Sequence, residues 1–109
     1  MGVLSNLEPK KVFAYFEEIC GIPHISYHEK QLSDYCVNFA RERGLFCTQD
    51  EMGNVLIVGE ATPGYEEEET IMIQGHLDMV GDKTSTCGRL NLETDPIAVE
   101  TDGGYGFAD

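Results

Sequence analysis

The hydrophobic period of this chain changes at Gly44–Leu45, and that change most narrows the folds open to it. Before it, apolar residues recur at helical spacing. Val12, Phe13, Phe16, Ile19 and Cys20 keep the i, i+1, i+4, i+7, i+8 rhythm of one buried stripe. Ser5-Asn6 offers a cap, Pro9 suits the opening turn, and Gly21 and Pro23 end the segment. A second stripe, Leu32, Tyr35, Cys36, Phe39 and Ala40, follows Ser26-Tyr27-His28-Glu29. That tetrad is a capping-box pattern: the hydroxyl takes a first-turn N–H and the carboxylate reaches back to the cap. Arg41 and Arg43 complement the dipole at the far end, and Gly44 stops the helix.

After Gly44 the pattern is that of strands. Residues 45–49 and 54–58 flank the turn-forming Glu51-Met52-Gly53-Asn54 and predict a hairpin. Residues 59–69 are a Gly-, Pro- and Glu-rich loop. The apolar run 70–74 predicts a strand buried on both faces. Residues 79–95 show no clear period. Residues 96–100 and 105–108 predict two further short strands around Asp102-Gly103-Gly104. Two helices followed by strands, one of them buried, point to an α/β layered fold. A chain of 109 residues suffices for one small domain with a modest core. Neither a repeat nor a linker divides it, and no capping element closes it at Asp109. Residues 1–109 are therefore expected to be one portion of a larger domain, incomplete at its C-terminus.

Seven lysines and arginines face twenty aspartates and glutamates, for a net charge of −13. Such a chain is repelled by nucleic acid and by anionic membrane surfaces. Four of the negative charges, Glu66-Glu67-Glu68-Glu69, read as a solvated loop. No basic start followed by an apolar stretch announces secretion, and no apolar run approaches the roughly 20 residues of a membrane span. Cys20, Cys36, Cys47 and Cys87 are scattered without a Cys-x-x-Cys pair and read as reduced thiols of a cytoplasmic protein.

The chain has three histidines. His24 and His28 have the four-residue spacing of two ligands on one helix, but the helix is expected to start between them, at Ser26. Position 25 is Ile, where a zincin motif has glutamate, so surface or capping roles fit the pair better. His76 follows Gly75 at the end of the apolar run, and ligands gather at the carboxyl ends of strands in open α/β sheets. Asp78, two residues on, points to the same side of an extended chain. A carboxylate there can accept the second imidazole N–H, fix the tautomer and aim the other nitrogen at a metal. On spacing alone, the pair reads equally well as a turn histidine beside a capping aspartate.

Gly75-His76-Leu77-Asp78-Met79-Val80 resembles the first active-site motif of the M20 metallopeptidases, and in particular of their aminoacyl-histidine (Xaa-His) dipeptidase branch. Other segments fall in the family's order. They are Leu7-Glu8-Pro9, Phe16 through His24, Ser26-Tyr27-His28-Glu29, Gly53 through Ile57, and Asp95-Pro96-Ile97 followed by Asp102-Gly103. The resemblance covers nearly the whole chain. It implies that His76 is a metal ligand and that Asp78, in the catalytic set, orients it. It implies two zinc ions bridged by a further aspartate and a water, with a glutamate as general base. Those remaining residues are expected beyond Asp109. The implied fold is a mixed-sheet α/β catalytic domain, of which this chain is the first part, with an inserted lid or dimerisation domain. The implied activity is zinc-dependent hydrolysis of Xaa-His dipeptides in the cytoplasm. The expected partner is a small peptide substrate, not nucleic acid or membrane, with a homodimer formed through other parts of the chain. A tripeptidase, an amino-acid deacylase and a noncatalytic module on the same scaffold are the alternatives. The 109 residues alone are expected to bind zinc weakly and to lack activity, since a zinc site needs three or four ligands and one is present.

Overall fold

The computed structural model describes residues 2–83, 85, 91–102 and 105–108, with 100–102 and 105–108 described by their backbone. The element order is α1 (Lys10–Cys20), α2 (Lys30–Glu42), β1 (Phe46–Gln49), β2 (Val55–Val58), β3 (Val99–Asp102) and β4 (Tyr105–Ala108). This is the mixed α/β class expected from the change of period. The chain divides into two compact units, one of Met1–Leu32 with Asp78–Asp109 and one of Ser33–Leu77.

In the first unit, α1 starts later than Ser5-Asn6 suggested. Those residues lie in turns, and the N-cap is Pro9, extended at φ −72° and ψ 132°. A proline pushes the residue before it out of helical conformation, so the helix cannot begin ahead of Glu8. Leu4 is buried, and its N–H donates to Glu17 Oε1 on α1 at 3.0 Å. Gly21 closes the helix by donating to Glu17 and Glu18 carbonyls. The predicted stripe is buried only in part. Cys20 is buried, whereas Val12 and Phe16 are exposed, because a stripe becomes core only where another element lies on it. The Ile97 N–H donates to the Cys20 carbonyl at 2.9 Å. β3 and β4 pair antiparallel in the register Val99 to Ala108 through Asp102 to Tyr105. β3 starts at Val99 rather than 96, and Pro96 has no N–H to give a ladder. Gly103 and Gly104 of the predicted turn, and Cys87, lie outside the described residues.

The second unit holds most of α2 and the β1–β2 hairpin. Gly44 ends α2 in the left-handed conformation, φ 67°. Its N–H donates to the Arg41 carbonyl and that of Leu45 to the Ala40 carbonyl. These are the two bonds of a Schellman stop, which glycine forms without steric cost. Arg43 lays its guanidinium over the Phe39 ring at 3.5 Å. β1 and β2 pair antiparallel from Phe46–Val58 to Gln49–Val55. Asp50 shapes the turn. Its Oδ1 accepts the N–H groups of Met52 and Asn54, and its Oδ2 accepts from Asn54 Nδ2. The hairpin is tied to α2 through Ser33, which is fully buried. Its hydroxyl donates to the Gly53 carbonyl at 2.6 Å and accepts from Gln49 Nε2 at 2.7 Å. Val37 and Ala40 complete the buried side of the helix.

The buried strand expected at 70–74 does not form. Residues 70–77 have no regular secondary structure, and Ile71, Met72 and Ile73 are 84%, 81% and 94% exposed. They line an open cleft against residues 55–59 without joining the β1–β2 ladder. A strand buried on both faces needs neighbours on both edges and layers on both sides, and the described part of this unit supplies neither.

Candidate active site

The best-defined constellation joins the loop after α1 to the segment that begins at Asp78. Both lie in the first unit. Ile25 and Met79 form an isolated parallel bridge. The Met79 N–H donates to the His24 carbonyl and the Ser26 N–H to the Met79 carbonyl, each at 3.1 Å. The backbone at Gly81 passes close to the Ile25 side chain, which an added Cβ would meet at 3.1 to 3.3 Å. Residues 25–28 then turn, the His28 N–H donating to the Ile25 carbonyl at 2.9 Å. The third residue of this turn, Tyr27, takes φ 70° and is 96% exposed. A bulky side chain in that conformation carries strain, which the surrounding bonds must hold.

The turn carries Ser26 to Asp78, and its Oγ donates to Asp78 Oδ2 at 2.6 Å. A hydroxyl bonded to a carboxylate at that distance is a charge-assisted bond of the stronger kind. Ser26 therefore does not cap α2 as its sequence pattern suggested; α2 begins only at Lys30. The glutamate of the capping box is left accordingly, with Glu29 Oε2 buried and without a hydrogen-bond partner among the described residues.

The three histidines separate cleanly. His24 is buried, not on the surface, and its Nδ1 lies 2.6 Å from the Ile22 carbonyl. A carbonyl only accepts, so Nδ1 carries the proton and His24 is a bonded core histidine. His28 is exposed, its Nε2 3.9 Å from Glu93 Oε1. His76 is exposed and belongs to the second unit. The structure thus brings Asp78 together with Ser26; the pairing of Asp78 with His76 rests on their sequence spacing.

Neither Cys20 nor Cys36 suits a nucleophile's role. Both are free thiols, and burial pushes both thiol pKa values up, with the Glu17 charge adding to the effect at Cys20. Among the described residues no three His, Cys, Asp or Glu side chains gather to hold a metal ion. These residues do not by themselves fit a zinc centre, which takes three or four protein donors. No helix among the described residues is long and apolar enough to cross a membrane.

The chain is similar over nearly its whole length to a segment of two dipeptidases. The cytosol non-specific dipeptidase of Escherichia coli (strain K12) is 42% identical over 103 residues, which is 94% of this chain and 21% of that protein. The crystal structure of aminoacylhistidine dipeptidase from Vibrio alginolyticus superposes with a TM-score of 0.89 at 38% identity, covering 97% of this chain and 21% of that one. The chain thus spans about a fifth of the length of each relative. The resemblance to aminoacyl-histidine dipeptidases read from the motifs is borne out. No protein-family model matches the chain.

Proposed function

We propose that these 109 residues are the first portion of the catalytic domain of an M20-type, zinc-dependent dipeptidase of the cytoplasm, acting on Xaa-His dipeptides. The observation that carries the proposal is the 42% identity to a dipeptidase across 94% of the chain. The name of the Vibrio relative supports the histidine-containing substrate. The name of the E. coli relative, a non-specific dipeptidase, favours a second reading in which the protein accepts dipeptides broadly.

Within this reading His76 contributes one imidazole to the metal centre, and Asp78 accepts the N–H of its other ring nitrogen. That bond selects the tautomer and raises the basicity of the ligating nitrogen. The other donors and the general base come from outside the described residues. The 109 residues alone bind zinc weakly and hydrolyse nothing, while a homodimer, where one forms, uses other parts of the protein.

The test is to express the complete reading frame that carries this segment, beside the 109-residue chain, and to assay both on a panel of dipeptides. The full protein is expected to hydrolyse Xaa-His dipeptides fastest, to stop on chelation and to recover with zinc. Equal rates across the panel favour the broad reading. A full protein inert to every dipeptide, or an active 109-residue chain, contradicts the proposal.

A further inference from the structure

We propose that the cleft between β2 and residues 70–73 receives one extended strand, supplied by the part of the same protein that lies outside these 109 residues. The proposal rests on the reading of the chain as a portion of a longer protein, and not on which peptide that protein hydrolyses.

The cleft lies wholly within the second unit. β2 forms one wall and gives one of its edges to β1. The groups on its other edge follow from the register. Asp50 donates its N–H to the Asn54 carbonyl at 3.0 Å, so these two are a bonded pair where the hairpin opens. Bonded and non-bonded pairs alternate along an antiparallel ladder. Thr48–Leu56 and Phe46–Val58 are then bonded pairs, and Gln49–Val55 and Cys47–Ile57 are not. Val55 and Ile57 therefore turn their N–H and carbonyl groups toward the cleft. The opposite wall is residues 70–73, which belong to no ladder. Adjacent strands of a sheet stand about 4.8 Å apart and leave no space between them. Walls that face each other across a cleft of about 320 Å³ are not adjacent strands. The next spacing that a sheet allows is two intervals, roughly 10 Å, with one strand between.

The walls also choose the occupant's chemistry and source. Leu56 and Ile57 on one side and Ile71, Met72 and Ile73 on the other are uncharged and exposed. A segment paired along both edges between such neighbours is a continuous apolar, β-branched run without proline. A second copy of this chain is a poor source. Each copy carries a charge of −13, with Glu66-Glu67-Glu68-Glu69 directly before Thr70, so copies repel each other. The rest of the same protein is a better one. This chain spans 21% of each relative, and a strand tethered in the same molecule meets the cleft at high effective concentration.

The test is amide exchange, residue by residue, on the 109-residue chain and on the protein from the complete reading frame. In the shorter chain Leu56 and Val58, bonded to β1, are expected to exchange on the order of tenfold or more slowly than Val55 and Ile57, corrected for intrinsic rates. In the complete protein Val55 and Ile57 are expected to slow to the level of Leu56 and Val58. Fast exchange of Val55 and Ile57 there overturns the proposal. Protection of the same two amides in the shorter chain that grows with its concentration makes a second copy the occupant and also overturns it. Direct closure of the two walls would protect these amides as well, so cysteine pairs in the complete protein separate the cases. Val55→Cys or Ile57→Cys is combined with Ile71→Cys or Ile73→Cys under mild oxidation. A disulfide needs Cα atoms within about 7 Å, so an intervening strand keeps every pair reduced, and a pair that closes readily overturns the proposal. Dipeptide hydrolysis is read on the unsubstituted complete protein. Protected Val55 and Ile57 in an inert protein uphold the strand and remove the dipeptidase reading, and unprotected ones in an active protein do the reverse. A reading frame that closes at Asp109 ends both.

Discussion

Two short stretches on either side of Leu77 behave in opposite ways. Ile71, Met72 and Ile73 have the stronger strand propensity, with β-branched residues and no charge, yet all three are more than four-fifths exposed and join no ladder. Met79 stands in a run broken by Asp78 and Gly81, yet its N–H and carbonyl are both taken, by His24 and Ser26. Propensity describes how well a side chain suits a pleated surface; it does not supply the neighbouring backbone. Where the described chain offers a partner, even a poor strand former is held. Where it offers none, a good one stays open.

The sharpest way to break this comparison is to truncate a residue from each kind of environment. Leu4 is 1% exposed, and Leu4→Ala is expected to cost about 2–5 kcal/mol in denaturant unfolding, through lost burial and the cavity left behind. Ile73 is 94% exposed although its run predicts a buried strand, and Ile73→Ala is expected to cost less than about 0.5 kcal/mol. Equal costs would mean that the 70–74 run is packed after all.

A smaller effect tests whether the hairpin owes its place to a polar link. Ser33→Ala removes a buried hydroxyl that serves the Gly53 carbonyl and Gln49 Nε2 at once. The expected loss is about 0.5–1.5 kcal/mol, the net worth of a hydrogen bond, since Gln49 Nε2 keeps Asp34 Oδ1 as a partner. No change in the unfolding midpoint would show that water or another group takes the hydroxyl's place.

The smallest effect is one of pH. The Asn54 side-chain amide, then the Asn54 and neighbouring backbone N–H groups, hold the Asp50 carboxyl below its ordinary value. A lowered pKa in the folded state means that the turn gains support once Asp50 is ionised. That support is complete above the ordinary aspartate range and is lost as pH falls through the lowered value. The Met52 and Asn54 amide shifts are expected to titrate together in that acid window, and Asp50→Asn to remove the transition. Shifts that move only at the ordinary aspartate value would contradict the bonding.

Much of this was legible in the sequence, for a physical reason. Gly44, the hairpin of 45–58 and the second hairpin near the C-terminus are decided by residues a few positions apart, so composition and period carry them. Ser26 was not legible in the same way. Its hydroxyl had a local partner in the capping box, and the partner it takes lies 52 residues away. His24 likewise read as a surface or capping residue, because the burial that makes it core comes from the tertiary fold. The motif around His76 and Asp78 showed the kinship with dipeptidases, whereas the group that steadies Asp78 emerged only from coordinates.

Amide hydrogen exchange on the 109-residue chain tests the central contrast most directly. The Met79 and Ser26 amides, each bonded across the bridge, are expected to exchange on the order of tenfold or more slowly than those of Ile71, Met72 and Ile73, corrected for intrinsic rates. Equal rates, or protection of the 71–73 run with an unprotected Met79, would contradict the clamp that holds Asp78 in place.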